Sequence, residues 1–91
     1  MSEIVIELTE RVRKDYKALP GPVQGKFKKQ LRFLGENPRH PSLKIHRIRG
    51  SSDYWEFYID DSYRCVFRRD GNVYQLIAAG PHKVVDEFAR K

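Results

Sequence analysis

Tyr54-Trp55-Glu56-Phe57-Tyr58-Ile59-Asp60-Asp61-Ser62-Tyr63-Arg64-Cys65-Val66-Phe67-Arg68 is the stretch that decides the fold. Two runs rich in aromatic and β-branched residues flank a short polar turn, which predicts a β-hairpin with strands over Tyr54 to Ile59 and Tyr63 to Arg69. A third strand, Val73 to Ala79, follows the turn residues Asp70-Gly71-Asn72 and closes at Gly80-Pro81. Turns this short between successive strands argue for an antiparallel meander. Upstream, Leu43 to Ile48 alternates loosely and ends at Gly50-Ser51-Ser52, so it reads as a strand leading into the hairpin.

Towards the N-terminus, Ile4-Val5-Ile6-Glu7-Leu8 reads as an opening strand and Thr9 stands at an N-cap position. Val12, Tyr16 and Leu19 recur at helical spacing, predicting a helix over Glu10 to Leu19. Pro20-Gly21-Pro22 ends it, and Pro22 suits the first turn of a second helix running to Leu34. Val23, Phe27, Leu31 and Leu34 form that helix's apolar stripe, while Lys26, Lys28, Lys29 and Arg32 share its other faces. His82 to Arg90, with Val84, Val85 and Phe88, predicts a short terminal helix. The expected architecture is α+β: an N-terminal strand and a helical hairpin packed on one face of an antiparallel meander, then a short C-terminal helix. Residues 1–91 are expected to form a single domain.

Lys and Arg number 18 against 12 Asp and Glu, a net charge of +6 that favours a polyanionic partner, nucleic acid or an acidic protein. Cys65 is the sole cysteine, which excludes an intramolecular disulfide and makes a reduced, cytoplasmic setting the expectation. No signal-peptide core or membrane-spanning run is present, so no membrane partner is expected. Zinc motifs, Gly-rich phosphate loops and nucleophile elbows are missing from the sequence, and no metal or other cofactor is expected.

Alternation places Trp55, Phe57 and Ile59 with Tyr63, Cys65 and Phe67 on the face that the helices cover. The opposite face then holds Glu56, Tyr58, Arg64 and Arg68. Beside it lies Arg39 to Arg49, a segment with four fixed positive charges and no acid. Such a run is commonly a solvated edge, but next to tyrosine and arginines it suits nucleic acid, with cations meeting phosphates and rings stacking on bases. Lys44, Arg47, Arg49, Arg68 and Tyr58 are the candidate RNA-binding residues.

The hairpin quoted above, with Tyr63-Arg64-Cys65-Val66-Phe67 as its second strand, resembles the RelE/ParE toxin superfamily. The likeness extends to the N-terminal strand and helical hairpin and to the Leu43-Lys44 and Gly50 spacing. His46-Arg47-Ile48-Arg49-Gly50 and Gly80-Pro81-His82, with Phe88 following, look most like the YafQ-like branch. The resemblance implies a toxin held by a cognate antitoxin, with ribonuclease branches cutting mRNA on the ribosome. It implies that Arg64 is the strand arginine, that His46 and His82 are the branch's histidines, and that Phe88 borders the site. The sequence departs from RelE itself, whose pair of strand lysines is replaced here by Glu56 and Tyr58.

Metal-free RNA cleavage requires a base for the 2′-hydroxyl, an acid for the departing 5′-oxygen, and a cation for the phosphorane between them. Histidine titrates near working pH and arginine remains charged while binding two oxygens, so His82, His46 and Arg64 are the candidate catalytic set. Plainer readings stand beside these. His82 could simply begin the last helix, Arg64 could pair with Glu56 or Asp60 as sheet support, and Phe88 could only pack that helix. Two other functions share the fold: a ParE-like DNA gyrase inhibitor, and a catalytically degenerate member that binds an antitoxin alone.

Overall fold

A computed structural model describes residues 3–89. Its elements are β1 (Val5–Leu8), α1 (Glu10–Ala18), α2 (Gly21–Glu36), β2 (His46–Arg47), β3 (Trp55–Tyr58), β4 (Tyr63–Asp70) and β5 (Val73–Pro81), with 3₁₀ helices at Pro41–Leu43 and His82–Phe88. The sheet runs β1-β5-β4-β3-β2. β2 to β5 form the expected antiparallel meander, whereas β1 lies parallel to β5, so the sheet is mixed. The α1–α2 hairpin carries the chain from the β1 edge to the β2 edge.

Thr9 starts α1 as its composition predicts. Its hydroxyl accepts from the Val12 amide at 3.2 Å and donates to the Leu76 carbonyl at 2.8 Å, joining the helix start to β5. β1 stops opposite Leu76, leaving the rest of β5 without a strand on that side. Asp15 of α1 supplies the missing acceptor, taking the Ala79 amide at 2.9 Å. Beneath the hairpin, Val12, Val23, Phe27 and Leu34 pack on Phe57, Ile59, Cys65, Phe67 and Leu76, all nearly inaccessible to solvent.

Two differences from the sequence reading matter for function. The Leu43–Ile48 strand shrinks to His46–Arg47, because Pro41–Leu43 form a 3₁₀ turn and Lys44 takes a left-handed φ of 47°. The terminal segment is a 3₁₀ helix rather than an α-helix, and it packs on the face of the sheet opposite α1 and α2; Arg90, where the expected helix ended, lies outside the described residues. A bulge explains the second difference. Val66 pairs with Ala78 but Phe67 pairs with Leu76, so Ile77 is the extra residue and the parity of β5 reverses beyond it. Ala78 and Val66 thereby form an apolar strip on the far face, and Val84, Val85 and Phe88 cover it together with Ile48.

Gly50 locks this cover in place. Its φ is +84°, and a Cβ there would stand 2.2 Å from the Ala89 carbonyl oxygen. Gly50→Ala should therefore cost about 2 kcal/mol and lower Tm by roughly 10 °C, as read by thermal unfolding. Burial of Cys65, with a smaller contribution from Asp15, raises its thiol well above the ordinary value of 9.0. Iodoacetamide at pH 8 should leave native protein unmodified and label it once urea unfolds it, as read by intact-mass spectrometry.

Candidate nucleic-acid interface

The uncovered part of the far face lies at the end of the sheet where β3 turns into β4. Asp60 builds that turn: its Oδ1 accepts the amides of Ser62 at 2.8 Å and Tyr63 at 2.9 Å, and its Oδ2 meets Lys26 of α2 at 3.3 Å. Partial burial pushes the Asp60 carboxyl up, but the Ser62 amide, Lys26 and the Tyr63 amide outweigh it and hold the group below its ordinary 3.8.

Arg64 follows the turn and is buried, at 5% exposure. Its Nη1 donates to the main-chain carbonyls of Asp60 at 2.9 Å, Asp61 at 3.0 Å and Tyr63 at 3.2 Å. The guanidinium lies 3.5 Å from the centroid of the Tyr58 ring. Its Nε is 3.4 Å from Glu56 Oε1, close enough for charge attraction but out of line for a hydrogen bond. Nη2 has no hydrogen bond among the described residues. The arginine is thus fixed on three sides with one N–H edge uncommitted. Both plainer readings of Arg64 hold in modified form: it does pair with Glu56, and it reaches the carbonyl of Asp60 rather than the carboxylate.

Glu56, 7% exposed, also meets His46, whose Nε2 is 3.3 Å from Oε2. The other ring nitrogen, Nδ1, is 2.8 Å from the Lys44 carbonyl. Both nitrogens face oxygen acceptors, so the ring satisfies both contacts only when each carries a hydrogen. Lys44 Nζ lies 5.0 Å from the Tyr58 centroid, on the same ring that carries Arg64. Tyr58, Glu56, Arg64, His46 and Lys44 are therefore one contiguous cluster.

His82 is exposed, and its ring makes no hydrogen bond or ion pair among the described residues. Its amide donates to Ser62 at 2.8 Å, and Arg64 pairs with Gly80 two residues earlier, so His82 and Arg64 occupy the same end of the sheet one strand apart. His46 and His82 are separated by β3 and β4. At ~4.8 Å per strand and ~3.3 Å per residue, their Cα atoms are on the order of 19 Å apart.

The remaining candidates lie elsewhere. Arg47 stacks 4.9 Å from the Trp55 centroid, on the side of the sheet facing the helices. Arg68 is at the opposite end of β4 from Arg64, 5.8 Å from the Tyr54 centroid. Arg49 is exposed in the loop after β2. Phe88 is 4% exposed and packs 4.9 Å from Tyr54, so its observed place is in the cover.

Gln30 escaped the sequence reading. It sits buried in the helical stripe and donates through Nε2 to the Tyr58 carbonyl at 2.7 Å and the Ser42 carbonyl at 3.1 Å, holding the end of β3 against the 3₁₀ turn that precedes Lys44 and β2. A polar residue interrupting an apolar stripe was the available signal.

This arrangement defines a class: a small α+β domain with a helical hairpin on one face of a five-stranded sheet and an arginine-centred polar cluster on the other. Among solved structures, that fold is the one found in RelE- and YafQ-type toxins. A chain of the E. coli DinJ–YafQ toxin–antitoxin complex superposes with a TM-score of 0.74 at 18% identity, covering 91% of this chain and 97% of that one. The archaeal RelE–RelB complex from Pyrococcus horikoshii OT3 matches with a TM-score of 0.70 at 16% identity, over 88% and 96%. A variant of E. coli toxin RelE in the free state gives 0.70 at 24% identity, over 97% and 95%. No protein-family model and no curated protein sequence matches the chain.

Two outcomes are expected. Glu56→Ala leaves the Arg64 charge buried without its carboxylate and should cost about 3 kcal/mol in urea unfolding. The folded-state value of Asp60 is depressed, so its stabilisation is complete above 3.8 and is lost as pH falls through the lower folded value. Asp60→Asn should accordingly flatten the acid limb of the stability curve in that window while lowering stability at neutral pH.

Proposed function

We propose that this chain is the toxin of a toxin–antitoxin pair and an mRNA endoribonuclease acting at the ribosome. The observation that carries the reading is the uncommitted edge of the Arg64 guanidinium, held rigid beside Tyr58 with His46 on one flank and His82 on the other. A phosphodiester at that edge would have its developing phosphorane charge met by a cation needing no reorganisation. The 2′-oxygen attacks phosphorus, its proton passes to a base, and the 5′-oxygen leaves with a proton from an acid, yielding a 2′,3′-cyclic phosphate and a 5′-hydroxyl. His82, exposed at the start of the terminal 3₁₀ helix just past the end of β5, the strand that pairs with Arg64, is assigned to proton transfer at this phosphate. His46, tied to Lys44 and Glu56 and two strands away from Arg64, is the second proton-transfer candidate and the weaker contributor. Lys44 and Tyr58 line the approach, with Arg49 available to an incoming strand.

A cognate antitoxin is the expected protein partner. The 340 Å³ groove among β1, α1 and α2 supports this: Leu8, Val12, Tyr16, Phe27 and Leu31 line it, and Arg13, Lys17 and Lys28 rim it. That chemistry suits an amphipathic segment with acidic flanks.

One observation favours a second reading. Arg64 gives Nη1 to three carbonyls and is almost wholly buried, as a structural arginine would be. On that reading the chain is a ParE-like gyrase inhibitor or a non-catalytic antitoxin binder.

Induced expression separates the alternatives. The endoribonuclease reading predicts growth arrest with cleaved mRNA and unaffected gyrase supercoiling. His82→Ala should lower cleavage at least ~100-fold with Tm essentially unchanged, since proton-transfer groups contribute 10²–10⁴-fold. His46→Ala should cost about tenfold, the equivalent of one ordinary hydrogen bond. Growth arrest with intact mRNA and blocked supercoiling would instead establish the gyrase reading.

A further inference from the structure

We infer that the chain carries a second RNA-binding site, a cationic cleft at the far end of β4 that takes the sugar–phosphate backbone away from the scissile bond. The cleft, about 440 Å³, lies between the loop after β2 and the β4–β5 turn, and Arg47, Arg68, Arg69, Trp55, Ser52 and Asp53 line it. All three arginines are exposed, and none has an ion-pair partner among the described residues. By contrast, Arg11, Lys14, Lys26 and Arg64 all face carboxylates. Asp53 is the single acid in the lining, so the cleft holds a surplus of positive charge.

Each guanidinium is also oriented. Arg47 lies 4.9 Å from the Trp55 centroid, Arg68 5.8 Å from that of Tyr54, and Arg69 5.3 Å from that of Tyr74. An arginine stacked on a ring keeps N–H groups free for phosphate oxygens and loses less rotamer freedom on binding. Arg69 gives its Nε to the Gly71 carbonyl at 3.4 Å, which leaves its Nη groups for that role. Arg69 further lines an adjoining 430 Å³ hollow with Arg39, His40 and Lys44, which extends the positive surface towards the Tyr58 ring.

The lining distinguishes between two polyanions. No aliphatic side chain borders the cleft, so an acidic protein segment would find charge there but nowhere to bury apolar anchors. Such a segment is better served by the apolar groove on the helical hairpin. RNA needs only cations and an aromatic surface, and half-buried Trp55 supplies the latter. Arg64 and Arg69 are five residues apart on β4, roughly 17 Å at ~3.4 Å per residue. A strand engaged at both places is therefore held several nucleotides from the reacting phosphate.

The inference extends the RNA reading, but occupancy of the cleft requires no cleavage. The test uses a fluorescein-labelled, fully 2′-O-methylated RNA oligonucleotide, which has no nucleophile, and measures affinity by anisotropy across a salt series. The Arg47→Gln/Arg69→Gln double variant should reduce the slope of log Kobs against log salt by about 1.4, at ~0.7 per single-strand phosphate contact. A Lys14→Gln/Lys29→Gln protein, with the same net charge changed elsewhere, should keep the parental slope. An unaltered slope in the arginine variant, or an equal fall in both variants, would overturn the assignment. Polyglutamate binding as tightly as RNA, with the same sensitivity to Arg47 and Arg69, would reassign the cleft to an acidic protein. Failure of mRNA cleavage in cells leaves this measurement unaffected, so the two proposals fail separately.

Discussion

A buried guanidinium sets the constraint from which the rest of this structure follows. Arg64 sits at 5% exposure on a strand, where an unpartnered charge would cost several kcal/mol. The protein answers with three turn carbonyls, the Glu56 carboxylate and the face of Tyr58. Each of those groups needs its own support. Asp60 and Lys26 shape the turn that presents the carbonyls, and Gln30 holds the strand that carries Tyr58 and Glu56. Glu56 in turn fixes His46. Helix, turn and two strands are thereby organised around a single cation.

The other half of that face has the opposite character. The bulge at Ile77 brings Ala78 into line with Val66, and the terminal 3₁₀ helix closes over both. The same closure positions His82, because that residue begins the covering helix while its amide remains bound to the β3–β4 turn. One device thus covers the apolar strip and anchors His82 at the end of the sheet where Arg64 sits.

Much of this was legible in the sequence. Thr9, Pro20-Gly21-Pro22 and the Val23-Phe27-Leu34 stripe announce the helical hairpin, and the alternation around Asp60-Asp61-Ser62 announces β3 and β4. The face assignments of Phe57, Ile59, Cys65 and Phe67 follow from period two alone, and the solved neighbours carry the RelE-like fold that the hairpin suggested. The rest depended on long-range effects. A bulge is invisible to alternation when Ile77, Ala78 and Ala79 are all apolar, so the side on which the terminal helix packs was not deducible. The parallel pairing of β1 rests on where the hairpin returns the chain. Arg47 separated from the cluster because one residue's shift along β2 reverses the face it serves. Lys44 adopts a left-handed backbone that its residue type does not announce.

The claim that the Arg64 edge receives a phosphate can be measured at the guanidinium itself. In a ¹⁵N-labelled sample the Arg64 Nη1 protons, bound to three carbonyls, should exchange slowly enough to be resolved by NMR. Titration with a 2′-deoxy RNA analogue should shift the Nη2 resonances and slow their exchange while leaving Nη1 unmoved. Saturating analogue that shifts exposed arginines but leaves every Arg64 side-chain resonance in place would contradict the account.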